Sequence, residues 1–269
     1  MVKNIIIACS SQKEKSSLSR PIWHPGITVS EWKSTITQEK GIFSPEKLYI
    51  GQHFLQQKKI IQKNFDNIWI VSAGLGLLSG TQNTEDKVNH YDAAFSKKFG
   101  SSTDYWSELP FGGLRRLLSV EGEIIIALPI PYQKAIISDP NFPKVSNRMI
   151  ALGPGPIQKQ KNVKKTPYHP RMIDVYGGQR LGLFTYLLKS YYEDPLNFTG
   201  LSKVKREAEK LSSPPKRKKI NSDEELNLII SQLPSKITSG AKAVRFIRDQ
   251  LNRSCSQERI LSAWKKSRK

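Results

Sequence analysis

The chain has 269 residues, 38% of them hydrophobic and 25% charged, which supplies a packed core and excludes a wholly disordered chain. Lys and Arg number 43 against 23 Asp and Glu, a net charge of +20, which argues for a polyanionic partner because clustered cations release counterions from nucleic acid. No apolar run approaches the roughly 18 residues of a membrane span, so no membrane partner is expected. Two cysteines without an export signal point to the cytoplasm rather than to a disulfide framework.

The opening run Ile5-Ile6-Ile7-Ala8 is too short for a signal-peptide core and reads as a buried strand. It leads into Cys9-Ser10-Ser11-Gln12-Lys13, where small residues with backbone N–H groups and a lysine suit an anion such as phosphate. A helical pattern runs from Pro45 to about Lys63, followed by a second strand, Ile68-Trp69-Ile70-Val71. That strand enters Ser72-Ala73-Gly74-Leu75-Gly76-Leu77-Leu78, whose glycines let a ligand approach the backbone. Gly74-x-Gly76-x-x-Ser79 approximates a dinucleotide fingerprint but lacks its third glycine and acidic end, so no such cofactor is expected. Tyr91-Asp92 follows, then a helical pattern from Tyr105 to about Leu118, a strand at 124–128 and a candidate strand at 148–152. Continuous apolarity suits a mostly parallel sheet covered on both faces. The spacing predicts an open α/β sheet with flanking helices over residues 1–200.

Between Asp139 and Asp174 there is no acid, while Lys144, Arg148, Lys159, Lys161, Lys164, Lys165 and Arg171 are basic. Gly153-Pro154-Gly155-Pro156 marks this stretch as a loop, either a solvated insertion or a clamp on a nucleic-acid backbone. A helical pattern returns from Gln179 to Tyr192. Residues 203–269 carry 18 Lys/Arg against 7 Asp/Glu. A basic linker is expected over 201–222, clearest at Ser212-Ser213-Pro214-Pro215-Lys216-Arg217-Lys218-Lys219. The run has the composition of a nuclear localisation signal, and contact with phosphates explains it equally well.

Residues 223–269 predict a small basic all-helical domain. Ser222 opens a helix with Leu226, Ile229, Ile230 and Leu233 on one face. A second runs from Ala241 to Leu251, with Lys242, Arg245 and Arg248 outward. Ser254 and Gln257 have capping-box spacing before Ile260 and Trp264. Such a bundle resembles many DNA-binding appendages, and a helical interaction domain is the alternative. The expected DNA contacts are Lys161, Lys164, Lys165, Arg217, Lys218, Lys219, Lys242, Arg245 and Arg248. His24, His53, His90 and His169 show no metal-ligand spacing with either cysteine, and no metal is expected.

The order Ile-Ile-Ala-Cys-Ser-Ser-x-Lys, Leu48-Tyr49-x-Gly51-x-x-Phe54, Val71-Ser72-Ala73-Gly74-x-Gly76-Leu77-Leu78 and Tyr91-Asp92-Ala93-x-Phe95 resembles a bacterial and phage family. It is the family related to the peroxide-stress protein YaaA and to an accessory domain of archaeosine tRNA-guanine transglycosylases. The resemblance covers roughly residues 4–135 and continues through Tyr105-Trp106, Leu128-Pro129 and Tyr132. The segment 241–259 is similar to C-terminal segments of some such proteins. Many relatives have Lys or His at the Gly74 position and an aromatic at the Leu75 position, where this chain departs.

The resemblance implies an α/β domain associated with nucleic acid, base modification and N-glycosidic chemistry. The expected activity is hydrolysis of the N-glycosidic bond of a modified base in double-stranded DNA, in phage defence or DNA repair. The transition state is oxocarbenium-like, so a carboxylate near the anomeric carbon stabilises it, and Asp92 is the acid placed by motif. Cys9, Ser10, Ser11, Lys13, Tyr49, Gly51, Ser72, Ala73, Gly74, Gly76, Tyr91 and Trp106 are the expected substrate contacts, with the aromatics stacking on a flipped base. The alternatives are a non-enzymatic DNA-binding stress protein and a tRNA base-exchange or tRNA-binding factor. The absence of zinc-site cysteines lowers the base-exchange reading.

Overall fold

The computed structural model describes residues 2–14, 21–38, 41–81, 84–95, 105–176, 182–211 and 218–267. They divide into two units, 1–211 and 212–269.

Among the described residues of the first unit, six strands form one sheet. They are β1 (Lys3–Ala8), β2 (Asn67–Ser72), β3 (Gly76–Ser79), β4 (Glu123–Ala127), β5 (Met149–Ala151) and β6 (Lys164–Lys165). Their order is β3-β2-β1-β4-β5-β6, and every neighbouring pair is parallel except β2 with β3. This is the open, mostly parallel α/β sheet that the apolar runs predict. Ile5, Ile6 and Ile7 are all fully buried, because helices cover both faces of the central strand. Ile6 is flanked by Trp69 and Ile126, which fixes the register on either side.

The flanking helices are α1 (Val29–Thr37), α2 (Pro45–Leu48), α3 (Gln52–Ile61), α4 (Ile130–Ser138), α5 (Phe142–Val145), α6 (Met172–Val175), α7 (Leu183–Glu193) and α8 (Thr199–Lys210). The helix expected over 45–63 breaks at Tyr49, which is extended and bridges Lys13. The helix expected over 105–118 is two single turns, Trp106–Glu108 and Leu114–Leu117. Pro110 and a left-handed Gly112 (φ +66°) separate them. β3 begins inside the Ser72–Leu78 stretch, where the sequence predicts close approach of a ligand and no strand. Gly76 (φ +94°) makes the return possible, and a Cβ there would lie 2.1 Å from the Gly112 carbonyl oxygen.

The expected linker from residue 201 is corrected by α8. Leu201 and Ala208 are buried in the first unit's core, so that unit extends to Leu211. Residues 212–217, with Arg217, lie outside the described residues.

The second unit contains β7 (Lys218–Lys219), α9 (Asp223–Ser231), α10 (Gly240–Arg245), a π-helical turn over Phe246–Gln250, β8 (Arg253–Ser254) and α11 (Gln257–Lys266). β7 and β8 pair in parallel, so the unit is helical with a short two-stranded ribbon rather than all-helical. Its own core is built on Ile220, Leu226, Ile247, Ile260 and Trp264. α11 is capped by Ser256, whose hydroxyl accepts from Arg259 N, and not by Ser254, which belongs to β8. Among the described residues no helix is long and apolar enough to cross a membrane.

Candidate functional site

β1 lies between β2 and β4, so the sheet order reverses there. Ligands of open α/β sheets bind outside the carboxyl ends of such strands. Cys9 N donates to Val71 O at 3.0 Å, continuing the pairing with β2 past the end of β1. Ser10 Oγ then accepts from Gln12 N at 3.1 Å and turns the chain. The turn is pinned to the α2–α3 junction, where Glu14 N donates to Leu48 O and Ile50 N to Gln12 O. Gly51 is needed at this contact, since a Cβ would lie 2.0 Å from Ser10 Oγ. Cys9 and Ser10 are half-buried and Ser11 is exposed.

The end of β2 carries a buried hydroxyl chain. Ser72 Oγ accepts from Gly74 N (3.3 Å) and Leu75 N (3.0 Å), which uses its lone pairs and closes the turn into β3. Its proton therefore goes to the Tyr91 hydroxyl at 2.7 Å, and Tyr91 donates to the Tyr49 hydroxyl at 2.6 Å. Trp106 Nε1 donates to Ser72 O at 3.0 Å, and Trp32 Nε1 to Gly74 O at 2.5 Å. Lys13 Nζ stands 4.4 Å from the centroid of the Tyr91 ring, a cation–π contact. Ser72, Tyr49 and Tyr91 are fully buried. Burial pushes the Tyr49 and Tyr91 phenols well above their ordinary range, and the neighbouring Tyr49 raises Tyr91 further. Gly74 accommodates Tyr91, because a Cβ there would lie 2.9 Å from the ring.

The same corner receives the start of α4. Tyr132 OH lies 3.5 Å from Cys9 Sγ, and its ring packs edge-on against Phe95 with centroids 5.0 Å apart. Burial raises the Tyr132 phenol well above its usual range, and Cys9 raises it further. Gln133, absent from the sequence expectations, clamps the neighbouring loop. Its amide donates to Leu128 O (2.7 Å) and Pro154 O (2.8 Å), and its carbonyl accepts from Ile157 N (3.2 Å). A Cβ on Gly155 would lie 2.0 Å from Gln133 Oε1. The Gly-Pro-Gly-Pro segment is thus a held turn at the carboxyl end of β5 rather than a solvated insertion. No signal in the sequence marks Gln133, since its partners are backbone groups of distant segments.

Asp92 is held by its backbone: its N–H donates to Pro21 O, and its carbonyl accepts from Trp23 N, both at 2.8 Å. Tyr91 and Ala93 both face Gly74. Asp92, between them in sequence, is half-buried. The structure therefore brings together Cys9, Ser10, Lys13, Tyr49, Gly51, Ser72, Ala73, Gly74, Tyr91 and Trp106. Gly76 serves the β2–β3 turn. Tyr132 joins the cluster through Cys9 and had appeared in the sequence only as part of the family pattern.

The cations separate into committed and outward groups. Arg148 donates to Val120 O and Leu117 O, a structural tie. Lys161, Lys164 and Lys165 are exposed, the last two on the edge strand β6. In the second unit Lys218, Lys219, Lys242 and Arg245 are exposed. The expectation that Arg248 points outward is corrected: it is half-buried and donates to Cys255 O at 3.0 Å. The i→i+5 turn, closed by Leu251 N to Phe246 O at 3.1 Å, falls behind the 3.6-residue repeat and swings Arg248 off the Lys242–Arg245 face. Arg253 pairs with Glu225 and Arg259 with Asp223. No family model, curated protein or solved structure matches the chain.

Proposed function

We propose that this chain binds DNA through its outward lysines and arginines, and that its α/β unit hydrolyses the N-glycosidic bond of a modified base. The observation that carries the reading is the convergence of Cys9-Ser10-Ser11, Ser72-Ala73-Gly74 and Tyr132 outside the carboxyl ends of three adjacent parallel strands. The family resemblance to base-modifying proteins supplies the reaction class. In this reading the half-buried Cys9, Ser10 and Tyr132 meet the nucleotide, and the buried hydroxyl chain holds the corner rigid behind them. The half-buried Asp92, next to Tyr91 in the chain, is the carboxylate assigned to stabilise the oxocarbenium-like transition state.

The test is release of free base or appearance of abasic sites on a panel of duplexes with different modified bases. Activity on at least one, abolished in Asp92→Asn, is the expected result. No release on any duplex, together with unchanged biological activity of Asp92→Asn, sinks the enzymatic reading.

A second reading, a non-enzymatic DNA-binding protection protein, is favoured by the fully buried Ser72, Tyr91 and Tyr49 hydroxyls, which bond one another. In that case substitutions at Cys9 and Asp92 leave protection intact, while removal of residues 212–269 abolishes it. The tRNA reading is separated by competition between tRNA and duplex DNA at about 0.15 M salt, where the electrostatic share of binding is already reduced.

A further inference from the structure

The second unit carries a shallow groove of about 230 Å³ lined by Ile237, Lys242, Arg245, Phe246 and Gln250. Ile237 is buried and Phe246 half-buried, so they form an apolar floor. Lys242, Arg245 and Gln250 are exposed and form a polar rim. Lys242, Arg245 and Phe246 share one face of the helix by i, i+3, i+4 spacing. The π-helical turn begins at Phe246 and ends at Gln250, so both ends of the irregular turn open into the groove. Such turns occur mostly as single-turn insertions and frequently at functional sites.

The chemistry of the lining selects its occupant. Two cations over an apolar floor exclude a purely apolar partner helix and call for an anion with a flat apolar part. An aromatic ring offers a stacking face that accepts any base. A glutamine amide offers both a donor and an acceptor to a base edge. The volume is below the roughly 300–1,000 Å³ of a drug-sized pocket, which suits a single planar group entering from outside. Arg248, Arg253 and Arg259 bond protein acceptors outside the groove, while Arg245 and Lys242, which donates one hydrogen bond to Thr238 Oγ1 at 3.2 Å and keeps two further N–H groups, are the cations that line it.

We propose that this groove binds an unpaired nucleotide of a nucleic-acid strand. The base stacks on Phe246, Gln250 contacts its polar edge, and Lys242 and Arg245 hold the adjoining phosphates. The inference rests on the nucleic-acid-binding reading and adds strandedness to it. The second unit grips single-stranded or locally opened nucleic acid, and not only the outside of a duplex.

The experiment uses the full chain and fluorescence anisotropy with a labelled single-stranded 12-mer and the corresponding blunt duplex, over a series of salt concentrations. Phe246→Leu keeps apolar volume and removes the stacking face. It should weaken single-strand binding roughly tenfold, the scale of one base–aromatic stack, and leave duplex binding within about twofold. Phe246→Tyr should restore single-strand binding. Lys242→Ala and Arg245→Ala should each reduce the salt slope on the single strand by about 0.7. Should Phe246→Leu fold poorly, the exposed Gln250→Ala and the two cation variants carry the test.

Wild-type affinity in Phe246→Leu, with duplex binding intact, overturns the groove assignment alone. Displacement of the 12-mer by polyglutamate as readily as by unlabelled 12-mer assigns the groove to an acidic peptide and also overturns it. Wild-type protein that binds neither strand form removes the nucleic-acid reading, and this inference with it.

Discussion

The strand-end corner of the α/β unit and the groove of the C-terminal unit use polar groups in opposite ways. In the corner, Ser72, Tyr91 and Tyr49 are fully buried and spend their hydrogen bonds on one another and on the backbone. In the groove, Lys242, Arg245 and Gln250 are exposed on an apolar floor. The first arrangement fixes geometry, while the second leaves charge for a partner. Substitutions in the corner should therefore register as lost stability, and substitutions at the groove as lost binding with stability unchanged.

Trp106→Ala gives the largest effect expected. The side chain is buried among the β2 end and the turn that follows, and its indole N–H holds Ser72 O. Loss of a buried tryptophan costs about 3–5 kcal/mol. Urea unfolding of the full chain should show the first unit's transition shifted by that amount. A shift below about 1 kcal/mol would show that the corner is looser than its hydrogen bonds imply.

Tyr91→Phe comes next. It leaves the Ser72 hydroxyl and the Tyr49 oxygen without their shared partner, at about 1–3 kcal/mol. Burial raises the Tyr91 and Tyr49 phenols above the ordinary pKa of about 10. Above that pH the unfolded chain loses these protons while the folded chain retains them. Their contribution is therefore complete below about pH 10 and declines as pH rises, by up to roughly 1.4 kcal/mol per pH unit for each phenol. Urea midpoints between pH 8 and 11 should fall steeply in the wild type. Tyr91→Phe should start lower and fall less steeply. Parallel curves would place the alkaline sensitivity in other phenols, such as Tyr191, pushed up to about 12 by burial.

The same contrast decides what can be read without coordinates. β1, β2 and β4 are legible because Ile5-Ile6-Ile7, Ile68–Val71 and Ile124–Ile126 are unbroken apolar runs, the mark of strands covered on both faces. β3 is hidden because Leu77 and Leu78 follow a glycine turn whose fold-back depends on Gly76 at positive φ against a remote carbonyl. α8 is masked by its charge, since only Leu201, Ala208 and a few neighbours face the core. α1 carries one local signal, the capping box of Thr28 and Glu31, and buries only Trp32. Within the site, Cys9 and Ser72 converge as their positions at strand ends suggest, and Tyr91 joins them through its bond to Ser72. Gln133 and the inward turn of Arg248 are not legible, because one depends on distant carbonyls and the other on a π-helical turn.

Arg248→Ala sharpens the comparison within the second unit. Its guanidinium holds Cys255 O next to β8, so its loss should cost about 1–2 kcal/mol of that unit's stability. Arg245→Ala, three residues earlier and exposed, should change stability by less than about 0.5 kcal/mol. Calorimetry on the full-length variants separates the two. Equal losses would mean that the groove rim is part of the unit's scaffold.

Tyr132→Phe has as small an expected effect on stability as Arg245→Ala and bears most directly on chemistry. It removes one hydroxyl whose contact is a sulfur at 3.5 Å, a weak interaction, so the cost should be about 0.5 kcal/mol or less. Its ring contact with Phe95 is retained. The position, however, is where the sheet order reverses, between the ends of β1 and β4. If a nucleotide reacts there, loss of this hydroxyl should reduce base release about tenfold while the melting temperature stays within a degree or two. A silent variant in the base-release assay would leave the corner with the structural role that its buried hydroxyl chain already performs. Nucleic-acid binding would then rest on the outward cations alone.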